Sequence, residues 1–231
     1  MTFTAVTSMK RVKRKIGYTR LKYLLLTVVM VLCGCSCSGD ECRYETFAFE
    51  ENDIRFHIGG VFLEHPLFTF EYPRCFELID LNRMPDIAHY RSYVTDVTFL
   101  RRVEDKLFFE EFISVVVHRP GVWGDTDAKT YINNVINMYS SPPDYENFQL
   151  IQKTSINIDG LPAEYISFSY HTPTSEGTSY PPYDRVVRLV SFDYDGFLWK
   201  LRFDCYTESA EETELYFNHL IETFEFIEKE P

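Results

Sequence analysis

The side chains best suited to chemistry are six cysteines, because a thiolate can be acylated, oxidised to a disulfide or bound to a metal. Four of them are crowded between Cys33 and Cys42, and the other two, Cys75 and Cys205, lie at the ends of predicted strands. No two are spaced as CxxC, and none of the six histidines has the spacing of zinc ligands. The thiols therefore favour acylation or disulfide formation, and neither a metal site nor a cofactor is predicted.

Catalytic motifs are not recognisable elsewhere in the chain. The sequence contains no GxSxG, no P-loop and no GxGxxG at the start of a βαβ unit. We therefore expect a protein that is not an enzyme. An envelope hydrolase whose nucleophile and base meet only in the folded chain stays open as an alternative.

The amino-terminal part has the charge order of a secretory signal. Basic residues from Lys10 to Lys22 precede a short apolar stretch, Tyr23 to Cys33, and no acidic residue occurs before Asp40. That stretch is well below the roughly 20 residues that a membrane-spanning helix needs. The pattern predicts a signal peptide over residues 1–34, with translation starting at Met1 or Met9.

The residues Leu32-Cys33-Gly34-Cys35 resemble the bacterial lipobox. The resemblance implies cleavage between Gly34 and Cys35, a diacylglyceryl group on the Cys35 thiol, and a fatty acid such as palmitate on the new amino terminus. Several acyl chains together anchor a protein stably. We thus expect a lipoprotein outside the cytoplasm, at the cell surface or on the periplasmic face of the envelope. An ordinary signal peptide or an uncleaved anchor are the alternatives.

The net charge of the expected mature part, residues 35–231, argues against binding to nucleic acid. Seven of the 23 basic residues and none of the 35 acidic residues precede Cys35, which leaves 16 against 35, a net charge of about −19. A nucleic acid requires a basic footprint, and anionic lipid repels an acidic surface. The composition predicts a domain over residues 44–231, joined to the lipid by a polar tether over residues 35–43.

Disulfide bonds are possible in an oxidising compartment. Once Cys33 is removed and Cys35 acylated, four cysteines remain, with three possible connectivities. A bridge between Cys75 and Cys205 is one hypothesis, and unpaired thiols are equally compatible with the sequence.

Alternation and turn signals predict mostly antiparallel strands. The clearest signal is a hairpin around Asp195-Gly196, a dipeptide typical of a type I′ turn. That turn would place Phe192 opposite Trp199 and Val190 opposite Leu201 on one face, and Lys200 and Arg202 on the other face. A second strand pair is expected around Asp159-Gly160. The apolar strand FISVVV should lie centrally, covered on both faces.

Two helices are expected beside these strands. The first begins near Gly124, with Asp125 or Thr126 as N-cap, and stops at Ser141-Pro142-Pro143. The second runs from Thr207 to Thr223, with Ser209 and Glu212 as a capping box. Strand pairs joined by tight turns, together with separate helices, define the α+β class, with helices packed on a central antiparallel sheet.

Several segments in this order resemble the PsbP-like family, the fold of an extrinsic photosystem II subunit. They are FTFEYPRCF, the ISVVV strand with the helix after it, INIDGLPAEYISFSY, and RVVRLVSFDYDGFLWKLRF followed by a helix and Phe224-Glu225-Phe226. The resemblance covers about Leu67 to Phe226 and implies an α/β/α sandwich with a non-catalytic role in binding protein complexes. A photosystem-associated subunit is an alternative function.

Residues 170–184 form the longest stretch of low hydrophobicity, and we expect an exposed loop there. Its aromatic residues Tyr170, Tyr180 and Tyr183 are the candidate contacts for a protein partner, because exposed aromatics on loops are common at interfaces. A disordered insertion is the alternative interpretation. The sequence as a whole favours a membrane-anchored, extracytoplasmic module that binds an unidentified protein or assembles a complex.

Overall fold

A computed structural model describes residues 43–49, 57–58, 64–79, 94–102, 110–121, 124–141, 145–173 and 182–227. The chain divides into two compact units, residues 1–41 and 42–231, and every described residue belongs to the second. The predicted signal peptide, the lipidation site Cys35 and the tether up to Cys42 lie outside the described residues. None of the described helices has the length and apolar character needed to cross a bilayer.

The described residues form eleven strands, two α-helices and a short 3-10 turn. The first six strands are β1 (Tyr44–Ala48), β2 (His57–Ile58), β3 (Leu67–Pro73), β4 (Glu77–Leu78), β5 (Val94–Arg102) and β6 (Glu110–His118). Next come α1 (Ala128–Tyr139), β7 (Glu146–Ile158), β8 (Leu161–Thr172), β9 (Tyr183–Tyr194) and β10 (Phe197–Tyr206). The chain continues through the 3-10 turn (Thr207–Ser209), α2 (Ala210–Thr223) and β11 (Glu225–Ile227).

The strands form two sheets, and all of the described pairs are antiparallel. The eight-stranded sheet has the order β2-β5-β6-β10-β9-β8-β7, with β4 also paired to β5. The smaller sheet has the order β1-β3-β11. Helix α1 packs on one face of the large sheet, while α2 and the small sheet pack on the opposite face. The predicted α+β class, with helices on both sides of a central antiparallel sheet, is confirmed.

The β9–β10 hairpin has the register that its turn predicted. Phe192 lies opposite Trp199, and Val190 lies opposite Leu201. Asp195 and Gly196 have φ values of +51° and +76°, as a type I′ turn requires. The turn residues and the hydrophobic alternation therefore specify the same register for β9 and β10, two inner strands of the large sheet.

An aromatic core fills the space between the two sheets. Trp199 is fully buried, with its ring centroid 5.4 Å from that of Phe68 and 5.9 Å from that of Phe192. Phe68 also stacks on Phe49 and Phe224, which ties β3 of the small sheet to the end of α2. Aromatic pairs of this kind contribute about 0.5–1.5 kcal/mol beyond the burial of their area. The predicted strand FTFEYP, ended by its proline, thus supplies the link between the two sheets.

The predicted helix caps are wrong in detail. The N-cap of α1 is Asp127, whose carboxylate accepts a 2.8 Å hydrogen bond from the Thr130 amide, and not Asp125 or Thr126. Asp125 is instead buried against the sheet. Asp125, Thr126 and Asp127 are all residue types that can cap a helix. Asp125 pairs with Lys200 of the sheet, which leaves Asp127 to cap α1.

The predicted capping box at α2 does not form. Ser209 is the N-cap, but its hydroxyl accepts no hydrogen bond from a helix amide and instead donates to the buried carboxylate of Glu111 and to the Tyr206 carbonyl. The Glu212 carboxylate accepts hydrogen bonds from Arg101 and from the hydroxyl of Tyr216. Partners from β5, β6 and the helix itself therefore outcompete the local cap.

Candidate functional site

A cavity of about 610 Å³ opens on the α1 side of the large sheet. Pockets that bind small ligands or anchoring side chains measure roughly 300–1,000 Å³. Its walls are mostly apolar and come from β5, β6, β8, β9, β10 and α1. They include Val94, Leu100, Phe112, Val116 and Met138.

The cavity exists because α1 covers only part of its face of the sheet. The helix packs on β8 and β9 through Ile132, Val135 and Tyr139. Strands β5 and β6 lie farther along the same face, where the helix does not reach. The prediction that FISVVV would be covered on both faces is met on one face, where Ile113 and Val115 are fully buried in the core. The opposite face of that strand lines the cavity.

Charged residues stand among these apolar walls. Asp96 on β5 lies opposite Val116 on β6, and Val116 lies opposite Lys200 on β10. Residues directly opposite each other in a sheet share a face, so all three side chains belong to the cavity side. Neighbouring strands are about 4.8 Å apart, which separates the Asp96 and Lys200 backbones by about 10 Å. Asp96 and Lys200 are therefore not neighbours in the sheet. In the described part of the chain their side chains form no ion pair, and Lys200 pairs with Asp125 instead.

Lys200 is held by groups from the start of α1. Its ammonium lies 3.4 Å from the carboxylate of Asp125 and 3.5 Å from the centre of the Tyr131 ring. The side-chain amide of Asn134 donates a 2.8 Å hydrogen bond to the other oxygen of Asp125. Burial lowers the pKa of Lys200 to about 8, although the nearby carboxylate of Asp125 acts in the opposite direction.

Arg202, the second cation of the cavity wall, also has a carboxylate partner. Its guanidinium lies 2.6 Å from Asp204 and donates a 2.8 Å hydrogen bond to the Tyr139 hydroxyl. Burial is the largest single effect and lowers the pKa of Arg202, but the combined attraction of Asp204 and the neighbouring tyrosines outweighs it, so the pKa is raised. Asp204 also pairs with Arg185 at 2.6 Å. The Arg202 side chain therefore remains charged and fixed in place.

Asp96 differs from the other charged groups of the cavity. Its side chain accepts a 2.6 Å hydrogen bond from the Thr98 hydroxyl, and within the described ranges no cation lies at ion-pair distance from it. Burial raises the pKa of Asp96 to about 6, against the smaller opposing effect of the Thr98 hydrogen bond. The cavity thus contains a carboxyl group that no cation of the described residues neutralises.

The predicted contact residues of the 170–184 loop do not form one exposed surface. Tyr170 belongs to β8 and is buried, with its ring centroid 4.9 Å from that of Tyr139. Tyr183 begins β9 and contacts the ring of Tyr206. Tyr180 lies outside the described residues. The expectation that Tyr170 is exposed is therefore wrong, because α1 covers the end of β8.

The predicted bridge between Cys75 and Cys205 is not formed in the structure. Cys75 is exposed in the turn after β3, whereas Cys205 is fully buried in β10. The Cys205 thiol lies 3.5 Å from the Val186 carbonyl and accepts a 3.1 Å hydrogen bond from the Thr213 hydroxyl. In the described part of the chain, no cluster of three or more His, Cys, Asp or Glu side chains could hold a metal ion.

Sequence reasoning missed the cavity residues Asp96, Lys200 and Arg202. Each occupies the interior of a strand and alternates with buried apolar residues, which is the usual pattern of a solvent-facing side chain. The available signal was the second apolar face of FISVVV. An apolar residue on each face of FISVVV indicates that neither face of this part of the sheet is fully open to water, so charged residues of the adjacent strands on the same face are also partly enclosed.

The fold defined by these elements is an α+β sandwich with an open cavity on one face. No protein-family model matches the chain, and no curated protein matches it significantly. Solved structures do match. LpqN of Mycobacterium tuberculosis, described as involved in cell envelope biogenesis, is 12% identical, with a TM-score of 0.46 over 80% of this chain and 92% of LpqN.

Two further structures have comparable scores. Cyanobacterial PsbP from Synechocystis is 13% identical, with a TM-score of 0.46 over 85% of this chain and 99% of its own. The Ran-binding protein Mog1p of Saccharomyces cerevisiae is 10% identical, with a TM-score of 0.43 over 81% and 97%. The similarity of these three structures to this chain concerns the fold alone.

Proposed function

We propose that this chain is a membrane-anchored, extracytoplasmic lipoprotein that acts as a non-catalytic module for binding a protein partner or assembling a complex. The observation that carries the binding role is the cavity beside α1. Apolar surface that is left open in this way usually marks a site for a ligand or a partner.

The pairing of the two cations supports binding rather than catalysis by either of them. Lys200, whose pKa of about 8 lies in the range of a catalytic base, is engaged by Asp125 and by the Tyr131 ring. Arg202 is similarly engaged by Asp204. Groups that hold each other in fixed pairs can orient a bound partner, whereas a catalytic base needs access to a proton that it can remove.

A cavity-filling variant tests the binding role. The Val116 side chain lines the cavity, so Val116→Trp should occupy it without entering the aromatic core on the other face. The matched control is Leu215→Trp on α2, where the native side chain is 66% exposed. We expect the parent and the control to recover the same partner from solubilised envelope, and Val116→Trp to lose it. Equal recovery by all three, or no partner at all, would contradict the binding role.

The anchoring part of the proposal rests on the sequence from Lys10 to Cys35. Mass spectrometry of the mature amino terminus should find a chain that begins with an acylated Cys35. A Cys35→Ser variant should fail to be processed as the parent is. If this variant were cleaved and fractionated with membranes like the parent, the lipoprotein assignment would be wrong while the binding role could still hold.

A further inference from the structure

We propose that the cavity binds a cationic side chain, a lysine or an arginine flanked by apolar residues, from the protein partner, and that Asp96 is the residue that pairs with it. This inference rests on the proposed binding function and names the chemistry of its partner.

The first support is the distribution of charge inside the cavity. The two cations of the wall, Lys200 and Arg202, already have carboxylates at 3.4 Å and 2.6 Å. Among the described residues, the one partner of the Asp96 carboxyl is the Thr98 hydroxyl, at 2.6 Å. An anionic ligand would therefore have to compete with Asp125 or Asp204 for its cation, whereas a cationic ligand meets a carboxylate that has no such partner in the described residues.

The second support is the environment of Asp96. The residue lies on β5 between apolar wall residues, with Val94 and Leu100 on the same strand and Val116 directly opposite. A carboxylate in such surroundings loses hydration and regains stability only when a cation or hydrogen-bond donor approaches. The raised pKa of Asp96, about 6, reflects the same loss of hydration.

The third support is the combination of size and overall charge. The cavity volume of about 610 Å³ exceeds what one lysine or arginine side chain fills, so neighbouring apolar side chains have room against Phe112 and Met138. The long aliphatic part of a lysine suits such walls, since its methylene groups bury well while the charged end seeks a polar partner. Residues 35–231 carry a net charge of about −19, with 35 acidic against 16 basic residues, which attracts a basic partner over a longer range.

The test uses the full chain in lipid nanodiscs and three peptides: N-acetyl-Leu-Lys-Leu-amide and its Gln and Glu counterparts. The signal is the methyl resonance of Met138, which lines the cavity. We expect the Lys peptide to shift this resonance saturably and the Glu peptide to leave it unchanged. Asp96→Asn should weaken Lys-peptide binding at least about tenfold, as loss of one member of a partly buried ion pair does. The control Asp195→Asn removes the same charge at an exposed turn position and should leave the affinity unchanged.

The pH dependence provides a readout that misfolding would not mimic. Asp96 has a pKa of about 6, so at pH 5 only about a tenth of it is ionised, and affinity should fall about tenfold between pH 7 and pH 5. The fall should be absent in Asp96→Asn. Lys200, with a pKa of about 8, stays largely protonated over this range. The other titratable or charged groups on the walls are Asp125, Tyr131, Tyr139 and Arg202.

Three results would overturn the inference: equal binding of the Gln or Glu peptide, unchanged affinity in Asp96→Asn, or the same fall with pH in that variant. Hexylammonium serves as a small-molecule probe. If it bound while the Lys peptide did not, the site would take a free amine and not a side chain of a protein. If every probe failed while Val116→Trp still abolished partner recovery, the charge inference would be wrong and the binding function would stand.

Discussion

The cost of burying Asp96 should be measurable as a pH-dependent gain in stability when its charge is removed. In Asp96→Asn the side chain keeps its shape and the oxygen that accepts the Thr98 hydrogen bond, but it cannot ionise. The carboxyl pKa is raised from 3.8 to about 6, and each unit corresponds to about 1.4 kcal/mol, so the full penalty of ionisation is about 3 kcal/mol. Because water reaches the cavity, we expect a gain of about 1–3 kcal/mol at pH 7.5.

The sign follows from proton linkage. Between pH 4 and pH 6 the folded state binds more protons at Asp96 than the unfolded state, so the penalty for ionising this group is absent at low pH, grows as the pH rises through this range and is complete above it. The difference between variant and parent should therefore be largest at pH 7.5 and vanish near pH 4. Urea denaturation at several pH values, with Asp195→Asn as the control, measures it. A variant less stable than the parent at pH 7.5, or a difference independent of pH, would refute the reasoning.

Three other substitutions or treatments test the fold. Phe68→Ala should cost about 3–5 kcal/mol in urea denaturation because Phe68 is fully buried, whereas Leu215→Ala, at a side chain 66% exposed, should change stability by less than about 0.5 kcal/mol. Gly196→Ala should cost about 1–2 kcal/mol, because the glycine has a φ of +76°, and a loss no larger than that of Leu215→Ala would contradict the turn assignment. Iodoacetamide should label Cys75 in the native protein and Cys205 only after unfolding, because Cys205 is buried and burial raises the pKa of its thiol. If both cysteines were protected until a reductant was added, a disulfide bond between them would be indicated instead.

The sequence was most informative where a turn and an alternating pattern constrain the same residues. Asp195-Gly196 requires positive φ at two adjacent positions, which fixes the pairing of Phe192 with Trp199 before any long-range contact is known. The strand pair around Asp159-Gly160 follows the same logic, with φ values of +48° and +81°.

The small sheet could not be predicted from local signals. β11 pairs with β3, so that Phe226 lies opposite Phe68, a contact between distant parts of the chain. Neither segment indicates by itself which strand it joins. The pairing depends on α2 returning the chain to β3, where the Glu71 amide donates a 3.0 Å hydrogen bond to the Thr223 hydroxyl.

The cavity could not be predicted from the sequence either, because it also depends on contacts between distant parts of the chain. Lys200 and Arg202 alternate with Trp199 and Leu201, and such alternation is typical of a strand with one face in water. The burial of Lys200 depends on Asp125 and Tyr131, which come with α1 from another part of the chain, although that helix packs mainly on β8 and β9. Sequence alone indicates that the helix has an apolar face but not how far across the sheet it extends.

The most direct test of the binding role is site-specific photo-cross-linking in intact cells. A benzophenone amino acid at position 138 would stand at the cavity, and the same group at position 215 would stand on α2, on the other side of the sheet. We expect a discrete cross-linked adduct from position 138 that disappears when Val116→Trp is added, and none from position 215. An adduct from position 215 alone, or one from position 138 that persists with the cavity filled, would contradict the conclusion that this cavity is where the protein meets its partner.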